Sequence, residues 1–132
     1  MIGPGFSFQA PDGWQVVRAG QRVSAGSGSN LVQVARFRLI RPYSAALFAK
    51  VEKELDVRMA AVASQTAGRL AGSRVVTASG VRSHSYDVKA NGRVDQYTFV
   101  LRGMREYQLL CRRASSDDDK SCRLLISSFR ID

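Results

Sequence analysis

Apolar side chains at Leu47, Phe48, Val51, Leu55, Met59 and Val62 recur at three- and four-residue steps, and no other stretch constrains the fold as much. The spacing predicts a helix over residues 45–67. Pro42 closes the preceding strand, Ser44 offers the cap and Gly68 the stop. Lys50, Glu52, Lys53, Glu54 and Asp56 fall mostly on the opposite side and read as a solvated face. A helix with one apolar stripe must bury it against another element, and the chain around it is rich in β-formers, so a sheet is the expected partner.

Ahead of the helix, residues 6–10 and 14–17 read as a hairpin around Pro11-Asp12-Gly13, where proline presets φ and glycine tolerates positive φ. The small residues Ala25 to Asn30 predict a mobile surface loop. That run has no Gly-Lys-Ser or Gly-Lys-Thr ending and no following helix, which excludes a phosphate-cradling loop. Residues 31–40 predict a strand with Ala35, Phe37 and Leu39 inward and Arg36 and Arg38 outward. Behind the helix, strands are expected at 74–78, 82–90, 93–102 and 105–112, joined by an Asn91-Gly92 turn and a Gly103-Met104 turn. The inward set would be Tyr86, Val88, Tyr97, Phe99, Leu101, Tyr107 and Leu109. Ser83, Ser85, Asp87, Lys89, Gln96, Thr98, Glu106 and Gln108 would form a wet outer face, a candidate binding surface. Residues 122–129 suggest a short closing helix capped by Asp118 or Asp119.

At 132 residues the chain can bury one core, so a single domain over 1–132 is expected. The fold class is α+β: an antiparallel sheet, made of a front hairpin and a C-terminal meander, packed on one long helix with a short C-terminal helix. The front strands speak against the alternative of a cone-shaped fold that begins with helices. No apolar run reaches the roughly 18 residues of a membrane-spanning helix.

The net charge of +9 comes from 16 Arg and 4 Lys against 11 acidic residues, a surplus that attracts polyanions or an anionic membrane surface. The arginines are scattered along the chain, which also fits genomic base composition. Arg36, Arg38, Arg102, Arg105, Arg112 and Arg113 are the ones that strand ends could gather into a binding surface. Single-strand nucleic acid binding would need exposed aromatics beside them, and most aromatics fall on the inward set.

Catalytic and metal chemistry finds little support. His84 is the only histidine, and on a strand it points away from Ser83, Ser85 and Asp87, so these neighbours cannot make a nucleophile, base and orienter set. Asp117, Asp118 and Asp119 lack the alternating ligands and distal glutamate of a calcium loop. Two cysteines and one histidine cannot supply four zinc ligands. Glu52, Glu54 and Asp56 read as surface rather than as an acid and base pair. The expectation is a non-enzymatic protein without cofactor or metal. Cys111 ends a strand and Cys122 enters the last helix, so a disulfide between them would pin helix to sheet and point to an oxidising compartment; two free thiols in a cytoplasmic protein is the alternative.

The element order, Pro11-Asp12-Gly13-Trp14 in the front hairpin, then the long helix, the meander and the ending Leu124-Leu125-Ile126-Ser127-Ser128-Phe129-Arg130, resembles the PsbP-like superfamily. That superfamily includes photosystem accessory proteins, exported bacterial lipoproteins, a GTPase-binding import factor and secretion adaptors. The resemblance assigns no site residue, since these members share a fold and differ in role. It implies a non-enzymatic binding or accessory domain of the bacterial cell envelope with another protein as partner; residues 1–8 lack the basic and apolar segments of a leader, so either a leader or lipid anchor was removed or the protein is cytoplasmic. Polyanion binding and a secretion-adaptor role are the alternatives, and neither ligand nor oligomeric state is fixed by the residues.

Overall fold

The computed structural model describes residues 1–132. Its strands are β1 Ile2–Gly3, β2 Phe6–Ser7, β3 Gln15–Ala19, β4 Arg22–Ser27, β5 Asn30–Tyr43, β6 Arg69–Ala78, β7 Val81–Ala90, β8 Arg93–Ala114 and β9 Arg130–Ile131; its helices are α1 Phe48–Gln65 and α2 Lys120–Ser128. A six-stranded antiparallel sheet runs β3-β4-β5-β8-β7-β6, and a small sheet runs β1-β2-β9. The expected class, an antiparallel sheet on one long helix with a short C-terminal helix, is the one observed.

The helices use different cores. Leu55, Met59 and Ala63 of α1 pack on Tyr86, Val88, Phe99 and Leu101. Leu125 and Cys122 of α2 join Phe6, Phe8, Val23, Val32, Val34, Val100, Tyr107, Leu109 and Phe129. β8 enters both, so Tyr107 and Leu109 do not share a face with Phe99 and Leu101 as the alternation predicts. The chain does not turn at Gly103-Met104 either: β8 is one strand of 22 residues. Gly103 sits within it at φ 59 and acts as a bulge that slips the two-residue alternation by one. The predicted wet face is correspondingly part of a core. Ser83, Ser85 and Thr98 are buried, and the Ser85 and Thr98 hydroxyls hydrogen-bond at 2.9 Å. On β5, pairing of Val32 with Cys111 and Val34 with Leu109 puts those valines inward, and Phe37 is left 42% exposed.

The front of the chain pairs differently from expectation. Phe6 and Ser7 pair with β1 and β9, not with the segment after Pro11-Asp12-Gly13. The front hairpin is β3 with β4, joined at Gly20-Gln21. The predicted loop over Ala25 to Asn30 is instead the end of β4, a turn at Gly28-Ser29 and the start of β5. Ala25 can be a strand residue despite its weak β-propensity because Val16 and Val32 flank it and the core covers it. The Asn91-Gly92 turn forms as predicted, with φ 52 and 73.

Of the two expected side-chain caps only that of α2 forms, with the Asp118 carboxylate accepting from the Lys120 N–H at 3.1 Å. A 3-10 turn over Ala45–Leu47 precedes α1, and Ser44 makes no capping bond. Asp119 stands at the start of α2 but pairs with Arg123 at 3.0 Å. The expected disulfide forms: Cys111 and Cys122, both fully buried, are bonded with Cα atoms 5.4 Å apart.

The end of α1 is a Schellman motif: Gly68 N–H donates to the Ala63 carbonyl at 2.8 Å and Ala67 N–H to that of Ser64 at 3.2 Å. The left-handed residue is Ala67, at φ 54, rather than Gly68. Gly68 serves a close approach, since a Cβ there would lie 2.7 Å from the Lys89 carbonyl oxygen. Ala67 is exposed and touches no core, so Ala67→Gly should relieve its left-handed backbone and stabilise the fold by about 0.5–1 kcal/mol. Urea unfolding measures this, and an unchanged or lower midpoint would contradict it.

Candidate functional site

The pairing of β5 with β8 outlasts that of their neighbours. β4 leaves β5 after Ala35, apart from Arg36 N–H donating to the Gln21 carbonyl at 3.0 Å, and β7 leaves β8 at Phe99. β5 and β8 continue as a two-stranded ribbon through Arg36 opposite Tyr107, Phe37 opposite Glu106 and Arg38 opposite Arg105. The next pair is Tyr43 with Gly103, so Leu39, Ile40, Arg41 and Pro42 together stand against Met104 alone. These four residues are extruded from the ladder. Proline, which has no N–H to give, is tolerated at such a place, and Ile40 is 98% exposed.

Five arginines lie on this ribbon: Arg36, Arg38, Arg41, Arg102 and Arg105. None has a carboxylate within 4.0 Å, whereas Arg58, Arg74, Arg93, Arg112 and Arg123 do. Arg36 Nε donates to the Gln21 side-chain oxygen at 2.9 Å. Arg38 and Arg105 occupy directly opposed positions, where like charges oppose pairing. Folding gains nothing from that juxtaposition, and an anion between the two guanidinium groups would relieve it.

Of the six arginines singled out in the sequence, the ribbon thus gathers Arg36, Arg38, Arg102 and Arg105. Arg112 and Arg113 are elsewhere: seven residues of strand from Arg105 to Arg112 span about 24 Å. Arg112 grips the buried Asp95 with two bonds, of 2.8 and 3.0 Å, and Arg113 donates to the Asp117 carbonyl at 3.0 Å. Asn30 bonds Asp117 and the Ala114 amide, so this end of β8 is a structural clamp rather than a free cationic surface.

A second polar cluster was not legible as such. Glu52 and Asp56 of α1, read from sequence as surface, border the apolar stripe and reach back to the sheet. The Tyr86 hydroxyl donates to Asp56 at 2.7 Å, and His84 Nδ1 lies 3.4 Å from Glu52. With Ser73, Arg74 and Val75 they line a cavity of about 210 Å³. His84 is 3% exposed; its ring stacks on Phe48 at 4.0 Å, Arg82 covers Phe48 from beyond, and Nε2 has no partner. Burial pushes the imidazole pKa down, with Arg82 adding to the effect and Glu52 and Asp56 opposing it. Burial and the Asp56 bond together push the Tyr86 phenol upward. The imidazole, buried beneath an aromatic ring at the wall of this cavity, packs the helix on the sheet.

Two expectations follow. Arg112→Ala strands the Asp95 carboxylate and should cost about 1–2 kcal/mol, less than for a fully buried pair because Arg112 is partly exposed and Arg93 stays near. Arg38→Ala should leave unfolding within about 0.5 kcal/mol of the parent or slightly raise stability; equal losses in the two variants would mean that Arg38 has a structural partner. For His84, the unfolded imidazole binds its proton near pH 6.5 while the folded one does so only at lower pH. The unfolded state therefore holds more protons in that interval, and stability, complete above about pH 6.5, falls as pH drops below it. His84→Phe should flatten the dependence of the urea midpoint between about pH 7 and pH 5.5, and parallel slopes would refute the assignment.

No protein-family profile and no curated protein matches the sequence. Solved structures do. The solution structure of cyanobacterial PsbP (CyanoP) from Synechocystis sp. PCC 6803 superposes with a TM-score of 0.68 at 16% identity, over 97% of this chain and 87% of that one. A crystal structure from Bacteroides thetaiotaomicron VPI-5482 gives 0.58 at 12% identity over 100% of this chain. This chain spans about half the length of the Bacteroides protein, 47%. At such identities the likeness concerns architecture, and the chain has a PsbP-like fold.

Proposed function

We propose that this chain is a non-enzymatic binding or accessory domain of the bacterial cell envelope, and that it docks on an anionic partner through the β5–β8 ribbon. The observation that carries the docking surface is the set of arginines without carboxylate partners on one strand pair, with Arg38 directly opposite Arg105. The Cys111–Cys122 bridge supports an oxidising, extracytoplasmic setting, because thiols in the cytosol are kept reduced. The PsbP-like fold supports an accessory role, and the burial of the sole histidine beneath Phe48 supports a non-catalytic one. No helix of the chain is long and apolar enough to cross a membrane, so contact with an envelope surface would be made from outside it.

The test is retention on immobilised heparin as salt rises. Binding through these arginines gives log affinity that falls linearly with log salt, and removing one contact lowers the slope by about one. Arg38→Ala and Arg105→Ala should each do so, while Arg69→Ala, an arginine of β6 away from the ribbon, should leave the slope alone. Equal effects from all three would show that only net charge matters and would remove the ribbon from the reading.

A further inference from the structure

The ribbon presents apolar as well as cationic groups, and the two are interleaved. Ile40, 98% exposed, is the most exposed large apolar side chain of the protein, and it lies on the extruded segment between Arg38 and Arg41. Phe37, 42% exposed, is three residues before it. Arg102 and Arg105 come from the facing strand. Beside the segment a groove of about 180 Å³ opens between β5 and α1, lined by apolar groups including Leu39, Tyr43 and Leu47 and by Arg41 and Arg58, with the carboxylates of Glu54 and Glu106 also on its wall. Nucleic acid answers the arginines alone and leaves the isoleucine in water, and an acidic peptide meets it only where an apolar side chain is placed among its carboxylates. A bilayer surface answers both, with phosphate groups taking the guanidinium ions and the acyl boundary taking the isoleucine.

Resting on the reading above, we infer that the anionic partner is a phospholipid surface, contacted by the 38–41 segment with Ile40 entering the acyl boundary and Arg38, Arg41, Arg102 and Arg105 lying at the headgroups. Attachment is peripheral and reversible, since one inserted side chain and four cations are far short of a spanning helix. Each arginine near an anionic surface contributes about a five-fold gain in partitioning, and removal of the isoleucine side chain from the apolar layer costs on the order of ten-fold.

The experiment is co-sedimentation of the full chain with phosphatidylcholine vesicles with and without phosphatidylglycerol, run beside the heparin column. Binding should require phosphatidylglycerol, weaken with salt, fall about ten-fold in Ile40→Ser and fall by at least as much in Arg38→Glu. Two exposed control sites, Val57→Ser on α1 and Arg69→Glu on β6, should bind like the parent, which separates position from hydrophobicity and net charge. Ile40 and Arg38 make no core contact, and urea unfolding of each variant confirms that the fold survives. Heparin retention that depends on Arg38, with no vesicle binding or with vesicle binding indifferent to Ile40→Ser, overturns the lipid assignment and leaves the anionic docking surface standing. Loss of neither heparin nor vesicle binding in Arg38→Glu overturns both.

Discussion

A pleated strand offers alternate side chains to opposite faces, so it can feed two cores only if each takes every second residue or if the alternation slips. β8 does the second. Tyr97, Phe99 and Leu101 join the α1 core, whereas Tyr107, Leu109 and Cys111, also odd-numbered, join the α2 core, with the change made around Gly103. Everything else is arranged on this strand. Its first half carries β7 and β6, its second half carries β5, β4 and β3, and Cys111 near its end holds α2. The slip lies where the ribbon of unpaired arginines begins, so one departure from regular pleating both divides the cores and frees a strand pair from its neighbours.

The charges divide along the same line. At the far end of β8 they are paired within the protein: Asp95 takes Arg112 and Arg93. Against α1, the few carboxylates are directed inward, toward Tyr86, His84 and Arg58. Five of the arginines without a carboxylate partner are left on the ribbon, and others, such as Arg18, Arg22 and Arg69, lie elsewhere. Part of the net charge of +9 is thus concentrated where the backbone also departs from the sheet. The ribbon edge of β5 would be a site for strand addition, and the extruded segment with Pro42 and the arginines blunts it.

The α1 helix was legible because five of its apolar positions repeat with one period, and tertiary packing had nothing to overrule. The Asn91-Gly92 turn and the cysteine pair were legible because each is a local chemical requirement. Gly103-Met104 misled for the same reason: glycine suits a tight turn locally, and only the existence of two cores, invisible along the sequence, makes it a bulge inside a strand. Ala25-Gly26-Ser27 reads as loop by propensity and becomes strand because valines flank it in space. The six arginines could be named from the sequence, but the four that assemble are chosen by the register of β5 on β8. Glu52 and Asp56 were assigned to solvent although they border the stripe of α1, the one clue that they could turn back to the sheet.

The bond between Cys111 and Cys122 encloses the 112–121 segment, whose residues 115–120 are exposed, while α2 and β9 beyond it complete the second core and the small sheet. A protease that cut this segment would divide the backbone without dividing the molecule. The C-terminal piece would stay tethered through sulfur, with Leu125 and Phe129 still seated and Arg130 still paired with Ser7. In a compartment crowded with proteases, the loop that looks most vulnerable is the one whose loss of continuity the fold can best survive.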